Sequence, residues 1–222
     1  DMGGFIASTF KRGIDFVNIP TTLLGMVDAS IGGKNGVDLD VLKNQIGTFN
    51  EPKLLLVDSE YLTTLSDREM KSGLAEMLKH GLIYDRFYWE QFKSISEIDY
   101  KQFNELIVRS IEIKNEIVTQ DPTEKGIRKA LNFGHTLGHI SKEKGLLTLL
   151  EYNEIKTTIT GLYNYVKIDD VAQNKIIELL IHDKKNEFGT IQFVLIDSIG
   201  NFKINQVVDN ELIKKCFIDY NS

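Results

Sequence analysis

A chain of 222 residues has room for one large domain or two modest ones, and 42% hydrophobic with 26% charged residues is ordinary for a globular protein, not a disordered or fibrous one. A formal charge of −6 argues against a nucleic-acid surface as its main business, while a local basic pocket for a small anion remains compatible with it. Cys216 is the one cysteine, so no internal disulfide can form; no apolar run approaches the ~20 residues of a membrane span and no signal peptide opens the chain, which points to a cytoplasmic protein.

The opening, Asp1-Met2-Gly3-Gly4-Phe5, lacks an initiator methionine and reads as the second part of something longer. Residues 3–12 suit a short helix ending at the basic pair Lys11-Arg12, before Gly13. Residues 15–19 alternate polar and apolar, as a strand does, and Pro20 closes them. Thr21-Thr22 stand where a helix N-cap belongs, ahead of Leu23-Leu24-Gly25-Met26-Val27. Glycines and short apolar pieces over 32–49 suggest a hairpin-like or looped excursion, and residues 53–58 read as a short buried strand of the parallel type.

From Ser59 the pattern turns helical. Ser66-Asp67-Arg68-Glu69 is a capping-box arrangement for a helix reaching about Tyr84, and further helical patterns cover 86–94, 98–120, 124–142, 146–166 and 170–182. Residues 190–196 read as a late strand paired with 200–204, and a last helix begins near Asp209. The predicted fold class is α/β plus α: a partial α/β domain over 1–58, then a mostly helical domain over 59–222.

Three groups of residues look chemical. Arg128, Asn132, His135 and His139 are spaced by four, three and four, which on a helix stacks them along one face. Two histidines at i and i+4 converge on one metal ion, or one binds metal while the other handles protons. Gly134 and Gly138 leave room for close approach, at a cost in helix propensity. The bland alternative is a polar face with satisfied histidines. Glu76 and Lys79, two turns after Glu69, share a helix face; they form either a surface ion pair or, beside a histidine helix, an oxygen ligand with a cation near it. Asp1, Gly4, Thr21, Thr22, Asp28, Gly32-Gly33-Lys34 and Lys43-Asn44 are the material of phosphate-cradling turns, without an intact G-x-G-x-x-G or Walker sequence, and ordinary turns explain them equally well.

Taken in order, these groups resemble the 3-dehydroquinate synthase family, and the likeness runs from Asp1 to Lys185. Its most specific parts are Ile19-Pro-Thr-Thr-Leu-Leu-Gly-Met-Val-Asp28-Ala-Ser-Ile-Gly-Gly-Lys34 and Leu131-Asn-Phe-Gly-His-Thr-Leu-Gly-His139. The resemblance implies an N-terminal nucleotide-binding half, of which residues 1–58 are the second part, and a helical half that binds metal and substrate. It implies that Asp1 ends a pyrophosphate loop, and that Thr21, Thr22, Lys34, Lys43 and the turn Tyr61-Leu62-Thr63-Thr64 contact NAD. Asp28, Lys34, Asn44, Lys79, Lys114, Arg128, Asn132 and His139, with Lys184 or Lys185, would hold a seven-carbon keto-acid phosphate. Arg12 resembles a phosphate-binding arginine that reaches across a homodimer. Glu76 and His135 would be ligands of one divalent metal, zinc or cobalt.

The implied reaction is a transient oxidation by NAD, β-elimination of phosphate, return of the hydride, and an internal aldol closure to 3-dehydroquinate. The metal polarises the hydroxyl being oxidised, and clustered cations answer the carboxylate and phosphate. No nucleic acid and no membrane enter this scheme.

The sequence departs from the family in one more place. A third metal ligand, a histidine after the paired-histidine helix, has no counterpart between His139 and His182, and the text reads as joined across a gap at His139/Ile140. Either residues are missing at that junction, which the truncated start also favours, or Glu151 or Glu154 substitutes, or the site is dead. A related sugar-phosphate cyclase and a non-catalytic relic of the fold are the competing readings. A glycerol-type dehydrogenase has little use for Lys34, Lys79, Lys114 and Arg128.

Overall fold

The computed structural model describes residues 2–40, 42–97, 100–134, 137–181 and 192–221. The chain forms two compact units, Asp1–Met77 with Glu97–Pro122 and Leu78–Ser96 with Thr123–Ser222, the dividing point falling inside one continuous helix.

In the first unit, α1 (Met2–Thr9) runs into a 3-10 turn at Phe10–Arg12. Lys11 and Arg12 there take left-handed φ values of 50° and 70°. Strand β1 (Val17–Asn18) pairs in parallel with β4 (Leu54–Leu55), Val17 opposite Leu54. The sequence predicts a buried strand over 53–58; instead Leu54 and Leu56 are 55% and 50% exposed. A parallel strand is buried only when both of its faces are covered, and among the described residues this pair is a two-stranded sheet on its own.

The glycine-rich stretch folds as anticipated, into the antiparallel hairpin β2 (Lys34–Leu39) and β3 (Leu42–Phe49). Its strand β2 lies against α1: a Cβ on Gly4 would fall 1.9 Å from Oδ1 of Asn35, so any larger residue there must displace the Asn35 side chain. Thr22 caps the next helical turn, its Oγ1 accepting from Gly25 N–H at 3.0 Å. Gly25–Ala29 is π-helical and buries Met26 and Val27. A 3-10 helix follows at Ser59–Thr64.

Helix α2 (Asp67–Tyr84) starts where Ser66 Oγ accepts from Glu69 N–H at 3.4 Å. Its Gly73 lets the π-helical segment approach: a Cβ there would sit 2.5 Å from the Leu23 side chain. Helix α4 (Tyr100–Gln120) buries Leu106, Ile107, Ile113 and Ile117, an apolar stripe at helical period, and packs on Gly25–Ala29.

In the second unit, α3 (Arg86–Glu90) is capped by Asp85, whose Oδ1 accepts from Tyr88 N–H at 3.0 Å, and it buries Tyr88 and Trp89. A 3-10 helix at Ile127–Asn132 and α5 (Leu137–Glu143) follow. Helix α6 (Leu149–Leu162) opens on a complete Thr148/Glu151 capping box. Then come α7 (Asp170–Ile181), the antiparallel hairpin β5 (Gln192–Ser198) and β6 (Asn201–Val207), and α8 (Asn210–Asn221), capped by Asp209. Helix α5 packs on β5, α6 and α8, and Ser141 Oγ accepts from Ile196 N–H at 3.3 Å.

The helix predicted over 124–142 is the main local correction. Glu124 is left-handed at φ 60°, the segment 127–132 is 3-10, and Phe133 turns extended at ψ 131°. Turning there buries the Phe133 ring, 6% exposed, and Gly134 gives little helical resistance. Arg128 and Asn132 therefore do not share one helix face with His139. Among the described residues no helix is long and apolar enough to cross a membrane.

Candidate functional site

In the first unit, the π-helical turn presents Asp28 and α4 presents Lys114, and the two form an ion pair. Lys114 is 6% exposed, and the Asp28 carboxylate answers its charge. Helix α2 brings Glu76 to the same carboxylate and, one turn further along and already in the second unit, carries the fully buried His80. The ligand atoms of Asp28 and Glu76 lie within 4.8 Å of one another. Two carboxylate oxygens and an imidazole nitrogen are donors of the kind that borderline divalent cations such as zinc and cobalt take.

Glu76 is thus placed among possible ligands, and Asp28, which the resemblance assigns to substrate, stands beside it. His80 escaped the sequence reading; the signal was the spacing Glu76-x-x-x-His80, which puts both on one helix face. His135 lies outside the described residues.

In the second unit, Lys79 is buried, and its Nζ donates to the carbonyl of Leu131 at 2.7 Å. That carbonyl belongs to the 3-10 helix carrying Arg128, 2% exposed, and Asn132. Asn132 Nδ2 donates to Glu124 Oε1 at 2.8 Å. His139 is buried on α5, with the Tyr152 hydroxyl 3.0 Å from Nδ1. Burial first, then the Lys156 charge, lowers the His139 pKa below 6.5. Among the described residues nothing lies within 4 Å of a Cβ built on Gly134 or Gly138, so the close approach expected of those glycines is not found.

Glu151 and Glu154 are engaged elsewhere. Glu151 completes the α6 capping box and approaches Arg86 Nη1 at 3.6 Å. Glu154 accepts from Trp89 Nε1 at 2.9 Å and pairs with Lys93 at 3.0 Å. Both are structural acceptors in this fold, which removes the reason to use either as a stand-in ligand.

The remaining expected residues are scattered through the first unit. Lys34 begins β2 and is exposed, as are Arg12 and Thr21. In the 3-10 turn, Tyr61, Thr63 and Thr64 are exposed and Leu62 is half-buried; Thr63 Oγ1 donates to Glu60 O and Thr64 Oγ1 to Tyr61 O. Lys43 and Asn44 belong to β3, with side chains outside the described part; Asp1, Lys184 and Lys185 are outside it altogether. Cys216 is core, as anticipated, its thiol pushed up to about 11 by burial.

Two family descriptions match consecutive stretches of the chain: 3-dehydroquinate synthase N-terminal matches residues 1–72, and 3-dehydroquinate synthase C-terminal matches residues 73–141. The 3-dehydroquinate synthase of Parabacteroides distasonis is 38% identical over 96% of this chain and 69% of its own length. The chain belongs to the 3-dehydroquinate synthase family. The enzyme of Helicobacter pylori strain P12 is 39% identical, over 97% of the chain and 70% of the relative.

These alignments run over 243 positions, longer than the 222-residue chain, so both 3-dehydroquinate synthases carry residues without a counterpart here. The C-terminal family match ends at Ser141, next to the His139/Ile140 junction where the sequence departs from the family pattern.

The family fold is shared with solved sugar-phosphate cyclases. The 2-epi-5-epi-valiolone synthase of Streptomyces hygroscopicus, with NAD+ and Zn2+ bound, superposes with a TM-score of 0.83 at 23% identity, over 99% of this chain and 69% of its own. A 2-deoxy-scyllo-inosose synthase complexed with carbaglucose-6-phosphate, NAD+ and Co2+ gives 0.81 at 22% identity, over 97% of this chain and 70% of its own.

Proposed function

We propose that this chain performs 3-dehydroquinate synthase chemistry, converting 3-deoxy-D-arabino-heptulosonate 7-phosphate to 3-dehydroquinate and phosphate, with NAD and one zinc or cobalt ion. The observation that carries this reading is 38% identity to 3-dehydroquinate synthases sustained over 96% of the chain. NAD supplies the reversible oxidation, and the metal supplies polarisation of the substrate oxygen. Glu76 and His80 on α2, and Asp28 near Glu76, are described residues whose donor chemistry suits the metal, and His135 joins them by the family resemblance.

The chain's own residues answer the charges of the substrate. When phosphate leaves, a C–O bond breaks and its electron pair stays on phosphate oxygen, where Lys and Arg donors stabilise it. Lys34, Lys79, Lys114 and Arg128 are assigned to the substrate's anionic groups, with Lys184 or Lys185. Asn44, Asn132 and His139 hydrogen-bond its oxygens. Buried Lys79 and Arg128 are held in fixed positions before substrate arrives, which is what positioning catalysis requires.

Residues 1–58, with the exposed 61–64 turn just beyond them, form the cofactor side, where Thr21, Thr22, Lys34, Lys43 and that turn hold NAD with Asp1, and the rest of 59–222 forms the metal and substrate side. Exposed Arg12, in its left-handed turn, is assigned to the site of a second subunit in a homodimer. The enzyme works in the cytoplasm. Phosphate release by the full chain is the test: it should require both NAD and added Zn2+ or Co2+, and six-carbon sugar phosphates should not replace the seven-carbon substrate. Release without NAD, or preference for a six-carbon substrate, overturns the reading.

A further inference from the structure

We propose that Tyr152 is a positioning residue for His139: its hydroxyl donates to Nδ1 and thereby keeps the imidazole proton on Nε2. The two side chains come from α6 and α5, are 7% and 9% exposed, and place the hydroxyl oxygen 3.0 Å from Nδ1 against 3.4 Å from Nε2. The shorter distance marks the bonded nitrogen.

The direction of the bond follows from what else the hydroxyl can reach. Among the described residues His139 is its hydrogen-bond partner, and no other acceptor stands within bonding distance of it. Were Nδ1–H the donor, the phenol's own proton would be buried without an acceptor, which is the expensive arrangement. Donation from Tyr152 satisfies both groups. Burial raises the Tyr152 pKa, which keeps that proton in place, and the lowered His139 pKa keeps Nδ1 free to accept.

The rings are held from several sides. His139 and Tyr152 meet edge to face at 5.3 Å, Tyr220 from α8 meets His139 at 6.2 Å, and Lys142 lies 4.8 Å over the Tyr152 ring. The charged groups around the imidazole are Lys156 on α6, Asp219 on α8, and Lys142 and Glu143 on its own helix; the lysines favour the neutral ring and the carboxylates oppose them. Strand β5 meets α5 through the Ser141–Ile196 hydrogen bond. A neutral ring with its proton on Nε2 offers one donor of fixed identity to a substrate oxygen. That consequence rests on His139 meeting substrate, as in the proposed function; the tautomer itself does not.

The test is nitrogen-15 NMR of histidine-labelled full chain, read through a pH titration. Native protein should show His139 as the Nε2–H tautomer, and Tyr152→Phe should show mixed tautomers with the midpoint raised by about 0.5–1 pH unit. Nδ1–H in the native protein overturns the proposal with no variant needed, as does an unchanged tautomer and midpoint in Tyr152→Phe. Steady-state kinetics of Tyr152→Phe separate the two layers. A lower kcat with KM within about twofold extends the tautomer to catalysis. A shifted tautomer with unchanged kcat and KM leaves the positioning intact and removes His139 from the substrate-binding set.

Discussion

Lys114 and Asp28 form an ion pair that joins α4 to the π-helical turn, 86 residues apart in sequence. The ammonium is nearly buried, while the Asp28 side chain keeps 27% of its surface, so the pair is neither a solvated surface bridge nor a fully desolvated one. Asp28→Asn should therefore cost about 1–3 kcal/mol in urea unfolding and also lower turnover. The loss of stability should shrink when Lys114→Met is added, because the buried ammonium that lost its Asp28 partner is then gone. A double variant as unstable as the sum of the singles would show that the two groups are not coupled.

Glu76→Gln and His80→Gln should each strip most of the bound Co2+ from dialysed protein and change the cobalt absorption spectrum. Metal content unchanged in His80→Gln would remove His80 from the ligand set. His135→Ala is expected to lose metal as well.

Gly73 on α2 faces Leu23 with no space for a methyl group. Gly73→Ala should destabilise the protein by about 1–3 kcal/mol, since the Leu23 side chain and the Leu24 backbone must both move. Equal unfolding midpoints for this variant and the parent would contradict the packing described.

Glu154 gives a pH signature. Burial pushes its pKa up, but the Lys93 and Trp89 hydrogen bonds outweigh that, and the carboxyl is held below 4.5. A lowered folded-state pKa contributes stability that is present above the unfolded value and lost as pH falls through the folded one. Glu154→Gln should thus be less stable than the parent at neutral pH, with the difference narrowing below about pH 4 in urea unfolding. A difference that widens on acidification would reverse the sign argued here.

Cys216 is fully buried with its thiol raised to about 11, so it should stay unlabelled by a thiol reagent in native protein and react fully in denaturant.

Local chemistry was the legible part of the fold. Ser66 ahead of Glu69, Thr22 ahead of Gly25, and the glycines around the β2–β3 turn announce their elements because the partners lie within a few residues. What the sequence could not reveal depended on distant contacts. Phe133 breaks a helical pattern because its ring is drawn into the core. Glu154 looked available as a ligand until Trp89 and Lys93, some sixty residues earlier, were found bound to it. His80 sits next to Lys79 in an ordinary-looking helix, and only its full burial one turn after Glu76 makes it a candidate ligand. Spacing marks Lys79 and Arg128 and the family resemblance adds Lys114, and their burial is what the structure adds.

The central claim is that this chain closes a ring while eliminating phosphate. The most direct measurement is carbon-13 NMR of 3-deoxy-D-arabino-heptulosonate 7-phosphate incubated with the full chain, NAD and Co2+, with phosphate and NADH followed alongside. The account predicts one 3-dehydroquinate formed per phosphate released and no net NADH. Net accumulation of NADH, or no product from protein that has bound both metal and NAD, would contradict it.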